Sequence, residues 1–157
     1  MITITVPIDT KLHAHNKGHW RSKMAAVADA RAYSRLLTLG QTPIDSRAIL
    51  DVLVTTGDKR RFDCGNILQT LKPTIDGVAD SGGIVGDHWE ALGIGSVEVR
   101  YQKGAAKVAT LTFRPDVGCK CEDHKIAIAG HGGCFWCSAC GSIFSGERKF
   151  TPSRLTQ

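Results

Sequence analysis

Residues 60–87 carry acids and bases whose types and spacing suit chemistry on a phosphate. The stretch reads RRFDCGNILQTLKPTIDGVADSGGIVGD. Phosphodiester hydrolysis commonly uses two or three carboxylates to hold a divalent cation, which polarises the phosphate and activates a water. We interpret Asp63, Asp76 and Asp87 as candidate carboxylates and Lys72 as the cation that offsets charge developing on the phosphate. The alternative is an ordinary surface pair of Lys72 and Asp76, four residues apart on a helix.

The order of these residues resembles the RusA family of Holliday junction resolvases, especially its phage-borne members. Within RRFDCGN, Asp63 and Asn66 match the start of the family pattern. Within LKPTIDGVADSGGIVGD, Lys72, Asp76 and Asp87 match its end, after an insertion of nearly one helical turn. The similarity covers residues 1–115 and also includes the N-terminal strand, the basic loop and the first helix.

The resemblance implies a Mg²⁺- or Mn²⁺-dependent endonuclease in which Asp63 and Asp87 bind the metal and Lys72 supports catalysis. Two family acids are replaced here by glycine, at Gly65 and Gly86. A glycine has no side chain that can coordinate a metal. We therefore expect Asp76 to take the place of the acid missing at position 65, with Asp58 or a water as the alternatives.

Basic residues flank the acidic middle of the chain. Residues 1–40 hold six Lys and Arg against two acids, residues 41–100 six against nine, and residues 101–157 eight against four. Such flanks suit a polyanion, although an ordinary solvated surface is the simpler explanation for a net charge of +5. With the family resemblance, we expect DNA contacts from loop and helix-start residues: Asn16, Lys17, Arg21, Lys23, Arg60, Arg61 and Asn66.

The C-terminal segment has the composition of a small metal-binding module. Five of the six cysteines fall within residues 119–140. Clustered cysteines in a cytosolic chain indicate a metal before disulfides. The pairs Cys119-x-Cys121 and Cys137-x2-Cys140 predict a structural zinc site. His124, His131 and Cys134 are further candidates, and the spacing of three between the last cysteines also occurs in iron–sulfur proteins.

Hydrophobic patterns predict the elements that position these residues. Strands are expected at 2–7, 48–56, 96–102 and 107–115, the last two forming a hairpin. Helices are expected at 24–39 and, after the turn RRFDCGN, over a segment that carries Ile67 to Asp80. The expected order is β-α-β-α-β-β, a mixed α/β sheet similar to that of RusA. We divide the chain into an endonuclease-like domain, residues 1–116, and a zinc-ribbon-like tail, residues 117–157.

Composition also limits the classes of function. Apolar residues make up 42% of the chain and charged residues 22%, as in a folded globular protein. No apolar run of about 18 residues predicts a membrane helix, and no signal peptide is evident, so we expect a cytoplasmic protein, phage-encoded and acting in a bacterial host. The leading prediction is a homodimeric endonuclease that resolves branched DNA. The alternative is a non-catalytic junction-binding protein with a zinc tail.

Overall fold

The computed structural model describes residues 1–12, 19–59 and 63–116, and three short strands at 126–128, 134–137 and 143–145. The chain divides into two compact units, Met1–Asp116 and Val117–Gln157. Within the described residues, no helix has both the length and the apolar character needed to cross a bilayer.

The first unit is built on a four-stranded mixed sheet. Its strands are β1 (Ile2–Pro7), β2 (Ala48–Thr56), β3 (Leu92–Tyr101) and β4 (Val108–Pro115). They lie in the order β1-β4-β2-β3. Strand β4 is antiparallel to both β1 and β2, whereas β3 is parallel to β2. The predicted mixed α/β class is confirmed.

Two helices cover one face of this sheet. They are α1 (Trp20–Thr38) and α2 (Cys64–Asp80), preceded by a short 3-10 turn at Thr10–Leu12. Along β1, buried and exposed residues alternate, and the buried ones pack with the apolar side of α2. Ile67, Leu71, Ile75 and Val78 recur at intervals of three and four, so one side of α2 faces the core.

Helix α1 begins four residues earlier than the sequence predicted. The His19 side chain caps the helix, because its Nδ1 accepts a hydrogen bond from the Arg21 backbone N–H at 3.3 Å. Histidine is not among the common capping residues, so the basic stretch looked like a loop. Arg21 and Lys23 consequently lie in the first turn of the helix.

The predicted hairpin of the last two strands is wrong. Strands β3 and β4 follow each other in sequence, but β2 lies between them in the sheet. Helix α2 returns the chain to the starting end of β2, which makes β3 parallel to β2. Strand β4 then takes the interior position, where Ala109, Leu111 and Phe113 are fully buried.

The second unit contains a three-stranded antiparallel sheet. Its strands are β5 (Ile126–Ile128), β6 (Cys134–Cys137) and β7 (Ile143–Ser145), in that order. In register, Ile126 lies opposite Cys137, and Cys134 lies opposite Ser145.

Candidate functional site

Asp63 forms the N-cap of α2. Its Oδ1 accepts hydrogen bonds from the backbone N–H groups of Gly65 at 2.7 Å and Asn66 at 3.3 Å. Aspartate is among the best capping residues, and its negative charge is stabilised by the positive end of the helix dipole. The carboxylate predicted to bind metal therefore also fixes the start of the helix.

Gly65 lies in the first turn of α2, beside the capping carboxylate. Among the described residues, a Cβ built at this position would approach Asp63 Oδ1, at 3.1 Å. A side chain at position 65 therefore fits when the Asp63 carboxylate shifts by a few tenths of an ångström. A Cβ at Gly86 would instead approach the His88 ring at 2.8 Å, so that ring would have to move.

Lys72 joins two of the predicted acids. Its Nζ donates hydrogen bonds to Asp76 Oδ1 and to Asp87 Oδ2. Asp76 is one helical turn further along α2, as the sequence predicted. Asp87 is 15 residues away and reaches the same ammonium through the chain reversal after the helix. Two carboxylates thus converge on one cation.

The reversal that places Asp87 is held by its own contacts. The Gly83 backbone N–H donates to Val78 O at 3.1 Å, and the Ile44 N–H donates to Gly83 O at 2.8 Å. The Ile84 side chain is buried in the core and pairs with Ile44 as an isolated β-bridge. These contacts return the chain to the middle of α2, so Asp87 meets Lys72 rather than the end of the helix.

The charges of this cluster reinforce one another. Partial burial disfavours the Lys72 ammonium, but its hydrogen bonds to Asp76 and Asp87 outweigh that effect and raise the Lys72 pKa. The hydrogen bond from Lys72 lowers the pKa of Asp87, and hydrogen bonding with Asp76 acts in the same direction. Asp87 is therefore ionised at neutral pH, with the Lys72 ammonium as its partner.

The cluster opens onto an apolar groove. Lys72 and Asp87 lie on the wall of a groove of ≈ 570 Å³ that runs between α2 and the start of β3. Its other lining residues are mainly apolar: Leu68, Gln69, Ile75, Trp89, Leu92 and Ile94. Trp89 is largely exposed, with 67% of its surface accessible. An aromatic ring beside charged groups suits a ligand that has both a flat ring and a phosphate.

The structure does not bring all the predicted acids together. Lys72 follows Asp63 by nine residues of α2. At about 1.5 Å per residue, the two lie about 13 Å apart along the helix axis. Across residues 1–12, 19–59 and 63–116 and the three tail strands, no three His, Cys, Asp or Glu side chains are grouped to hold a metal ion. The Mg²⁺ site of Asp63 and Asp87 stays a prediction, whereas Asp76 and Asp87 do lie together.

Asp80 has a partner that the sequence did not reveal. Arg31 of α1 forms an ion pair with it, in which Nη2 donates to Asp80 Oδ1 at 2.8 Å. This hydrogen-bonded guanidinium lowers the pKa of Asp80. The two residues are 49 positions apart, and no sequence pattern links them. The ion pair ties α1 to the C-terminal part of α2.

Three predicted DNA contacts lie among the described residues. Arg21 is exposed at the start of α1, Lys23 is half-buried, and Asn66 is half-buried in the first turn of α2. The Arg21 guanidinium lies 5.4 Å from the centre of the exposed Trp20 ring. The other four, Asn16, Lys17, Arg60 and Arg61, lie outside the described residues.

The predicted zinc ligands fall mostly outside the described part of the tail. Cys119, Cys121 and Cys140 lie outside it, as do His124 and His131. Cys137 ends β6 and Cys134 begins it. The zinc site therefore stays a prediction.

Neither a scan against models of known protein families nor a search of curated proteins returned a match for this chain.

Proposed function

We propose that this protein is a structure-selective endonuclease that cleaves branched DNA, such as Holliday junctions, by metal-dependent phosphodiester hydrolysis. The observation that carries the proposal is the convergence of Asp76 and Asp87 on Lys72 beside a groove. The ordered resemblance of residues 60–87 to the RusA family supports the choice of substrate.

The donor set fits a hard divalent cation. Carboxylate oxygens are the preferred protein ligands of Mg²⁺ and Mn²⁺. Asp76 and Asp87 would hold the ion. A bound ion would supply Lewis acidity and an activated water. Lys72 is the internal counter-ion of the metal-free protein and would contact the phosphate in the complex.

Basic residues would position the DNA. Arg21, Lys23 and the predicted contacts at Lys17, Arg60 and Arg61 carry charge but no means of reading sequence by themselves. Recognition would therefore rest on the shape of the DNA. Paired nicks across a junction need two sites, which a homodimer supplies. A zinc-stabilised tail completes the proposed protein, which acts in the bacterial cytoplasm.

A second function has its own support. The chain lacks an acid at Gly65, and Asp63 lies about 13 Å along the helix from Lys72. Both features favour a protein that binds junctions without cutting them. The two functions differ in one measurable property, the hydrolysis of the bound DNA.

The deciding experiment incubates the protein with a labelled four-way junction and with a linear duplex of the same length, with and without Mg²⁺ or Mn²⁺. An endonuclease nicks the junction only with metal and spares the duplex. The Gly65→Asp variant, which restores the acid of the family pattern, should nick faster if the metal binds at the start of α2, and should match the wild type if the metal binds at Asp76 and Asp87. Tight junction binding without nicks by either protein would establish the non-catalytic binder. Equal affinity for junction and duplex would exclude both functions.

A further inference from the structure

Among the strands that the structure describes, β3 has no neighbour on one side, so it forms an edge of the four-stranded sheet. It is the last strand in the order β1-β4-β2-β3 and has ten residues. Edge strands of this length attract another strand, and folded proteins usually shorten or cover them. In the second half of β3, apolar residues alternate with Glu98 and Arg100, and two of the apolar ones, Val99 and Tyr101, are 40% and 44% accessible.

The backbone of β3 presents its free groups at defined residues. The Gln102 N–H donates to Thr56 O of β2 at 2.9 Å. Because N–H and C=O groups alternate in direction along a strand, the even-numbered residues after Ser96 face β2. Val97, Val99 and Tyr101 therefore direct their backbone groups away from the sheet.

Charges on β3 limit the registers in which it can pair with a second copy. When two copies of a strand pair antiparallel about a two-fold axis, the residue at the axis lies opposite the same residue of the other copy. An axis at Val99 sets Glu98 opposite Arg100 of the other copy, twice over. An axis at Glu98 or Arg100 would instead oppose two like charges, which is destabilising. An axis at Val97 would place Gly95 of one copy opposite Val99 of the other, and the register between β3 and β2 shifts at Gly95.

The register centred on Val99 also satisfies the backbone. Val99 would exchange both hydrogen bonds with its symmetry mate, and Val97 would exchange both with Tyr101 of the second copy, giving about six bonds in all. Val97 and Tyr101 would pack together on the helix side. The regular segment from Ser96 to Gln102 has Val99 at its centre, so the whole segment is used.

We propose that two copies of this chain associate through antiparallel pairing of β3 centred on Val99, forming a continuous eight-stranded sheet. The proposal deepens the homodimer of the proposed function by assigning its surface. It rests on the sheet edge and not on the nuclease chemistry. It is therefore tested without DNA or metal, and it can fail while the nuclease assay succeeds.

Sedimentation equilibrium of the full chain tests the pairing with a reciprocal charge exchange. Glu98→Lys alone and Arg100→Glu alone should each weaken the dimer, raising its dissociation constant at least about fivefold, since two attractive pairs become repulsive. The double variant restores opposite charges and should recover the wild-type constant. Glu90→Lys makes the same charge change before β3 and is the control, which should leave the constant unchanged.

Circular dichroism of each variant verifies that the monomer is folded. A wild-type protein that stays monomeric at its highest soluble concentration overturns the proposal. So does a dimer that neither single variant weakens, because that dimer must use another surface. Weakening by both single variants without recovery in the double variant also contradicts the Val99 register.

Discussion

Replacement of Gly77 by alanine should break the packing of α1 against α2, the helix that carries Lys72 and Asp76. A Cβ at Gly77 would lie 2.1 Å from Ser34 Oγ and 2.2 Å from the Arg31 carbonyl oxygen. Ser34 is fully buried and donates to Ala30 O at 2.9 Å, so its hydroxyl has no free space to enter. Because the second contact is with backbone, only separation of the helices can relieve it.

The size of the effect follows from two opposing contributions. Alanine in a helix interior is ordinarily more stable than glycine by about 1 kcal/mol. Insertion of a methyl group into a close-packed contact costs about 1–3 kcal/mol, and more where the backbone must move. The two helices would have to separate by more than 1 Å to reach an ordinary contact distance, which begins at 3.4 Å. We therefore expect Gly77→Ala to lower the free energy of unfolding by about 2 kcal/mol.

Urea unfolding followed by the helical circular dichroism signal measures this change. Gly65→Ala is the matched control on the same helix, because its Cβ meets only the Asp63 side chain. The control should not lower the free energy of unfolding, and it can raise it by up to about 1 kcal/mol. A Gly77→Ala variant as stable as the wild type would refute the close contact of α1 and α2.

Four further predictions concern the site, the DNA and the tail. Because the Asp87 pKa is lowered in the folded state, its stabilisation is present above the unfolded value of about 3.9 and is lost as pH falls through the folded value. The difference in unfolding free energy between wild type and Asp87→Asn should therefore shrink below about pH 4 in urea titrations. Lys72→Ala should retain metal affinity by calorimetry but slow junction nicking, as expected for charge stabilisation in the transition state. Junction affinity in gel shifts should fall steeply with salt, and Arg60→Ala with Arg61→Ala should reduce that slope by about 2. Elemental analysis of protein prepared without chelator should find one zinc per chain, lost in Cys137→Ser, and protein free of both zinc and iron would contradict the tail assignment.

Local patterns were sufficient to predict most elements of the first unit. The run AILDVLVTT predicted β2 at its observed bounds, Ala48–Thr56. The apolar spacing from Ile67 to Val78 predicted the buried side of α2. The pairing of β3 was not predictable in this way, because it depends on whether β3 or β4 takes the interior position beside β2 and β1. Ala109, Leu111 and Phe113 of β4 are buried in the same core as the apolar side of α2, and such burial is a property of the whole fold.

The candidate site shows the same division between local and long-range information. Helical spacing predicted that Lys72 and Asp76 share a face, and the structure confirms it. The family pattern suggested Asp87, which reaches Lys72 only because Ile84 anchors the intervening turn. The Arg31–Asp80 pair had no local signal, since it depends on how α1 and α2 pack.

The rate of nicking of a four-way junction by Asp87→Asn and Asp80→Asn tests the central claim most directly. Both variants remove one negative charge from the same region, but only Asp87 faces Lys72 and Asp76. With saturating Mg²⁺ and excess enzyme, Asp87→Asn should nick at least about 100-fold more slowly than the wild type, and Asp80→Asn should stay within a few-fold of it. Equal rates for the two variants, or no metal-dependent nicking by the wild type, would contradict a catalytic site at Lys72, Asp76 and Asp87.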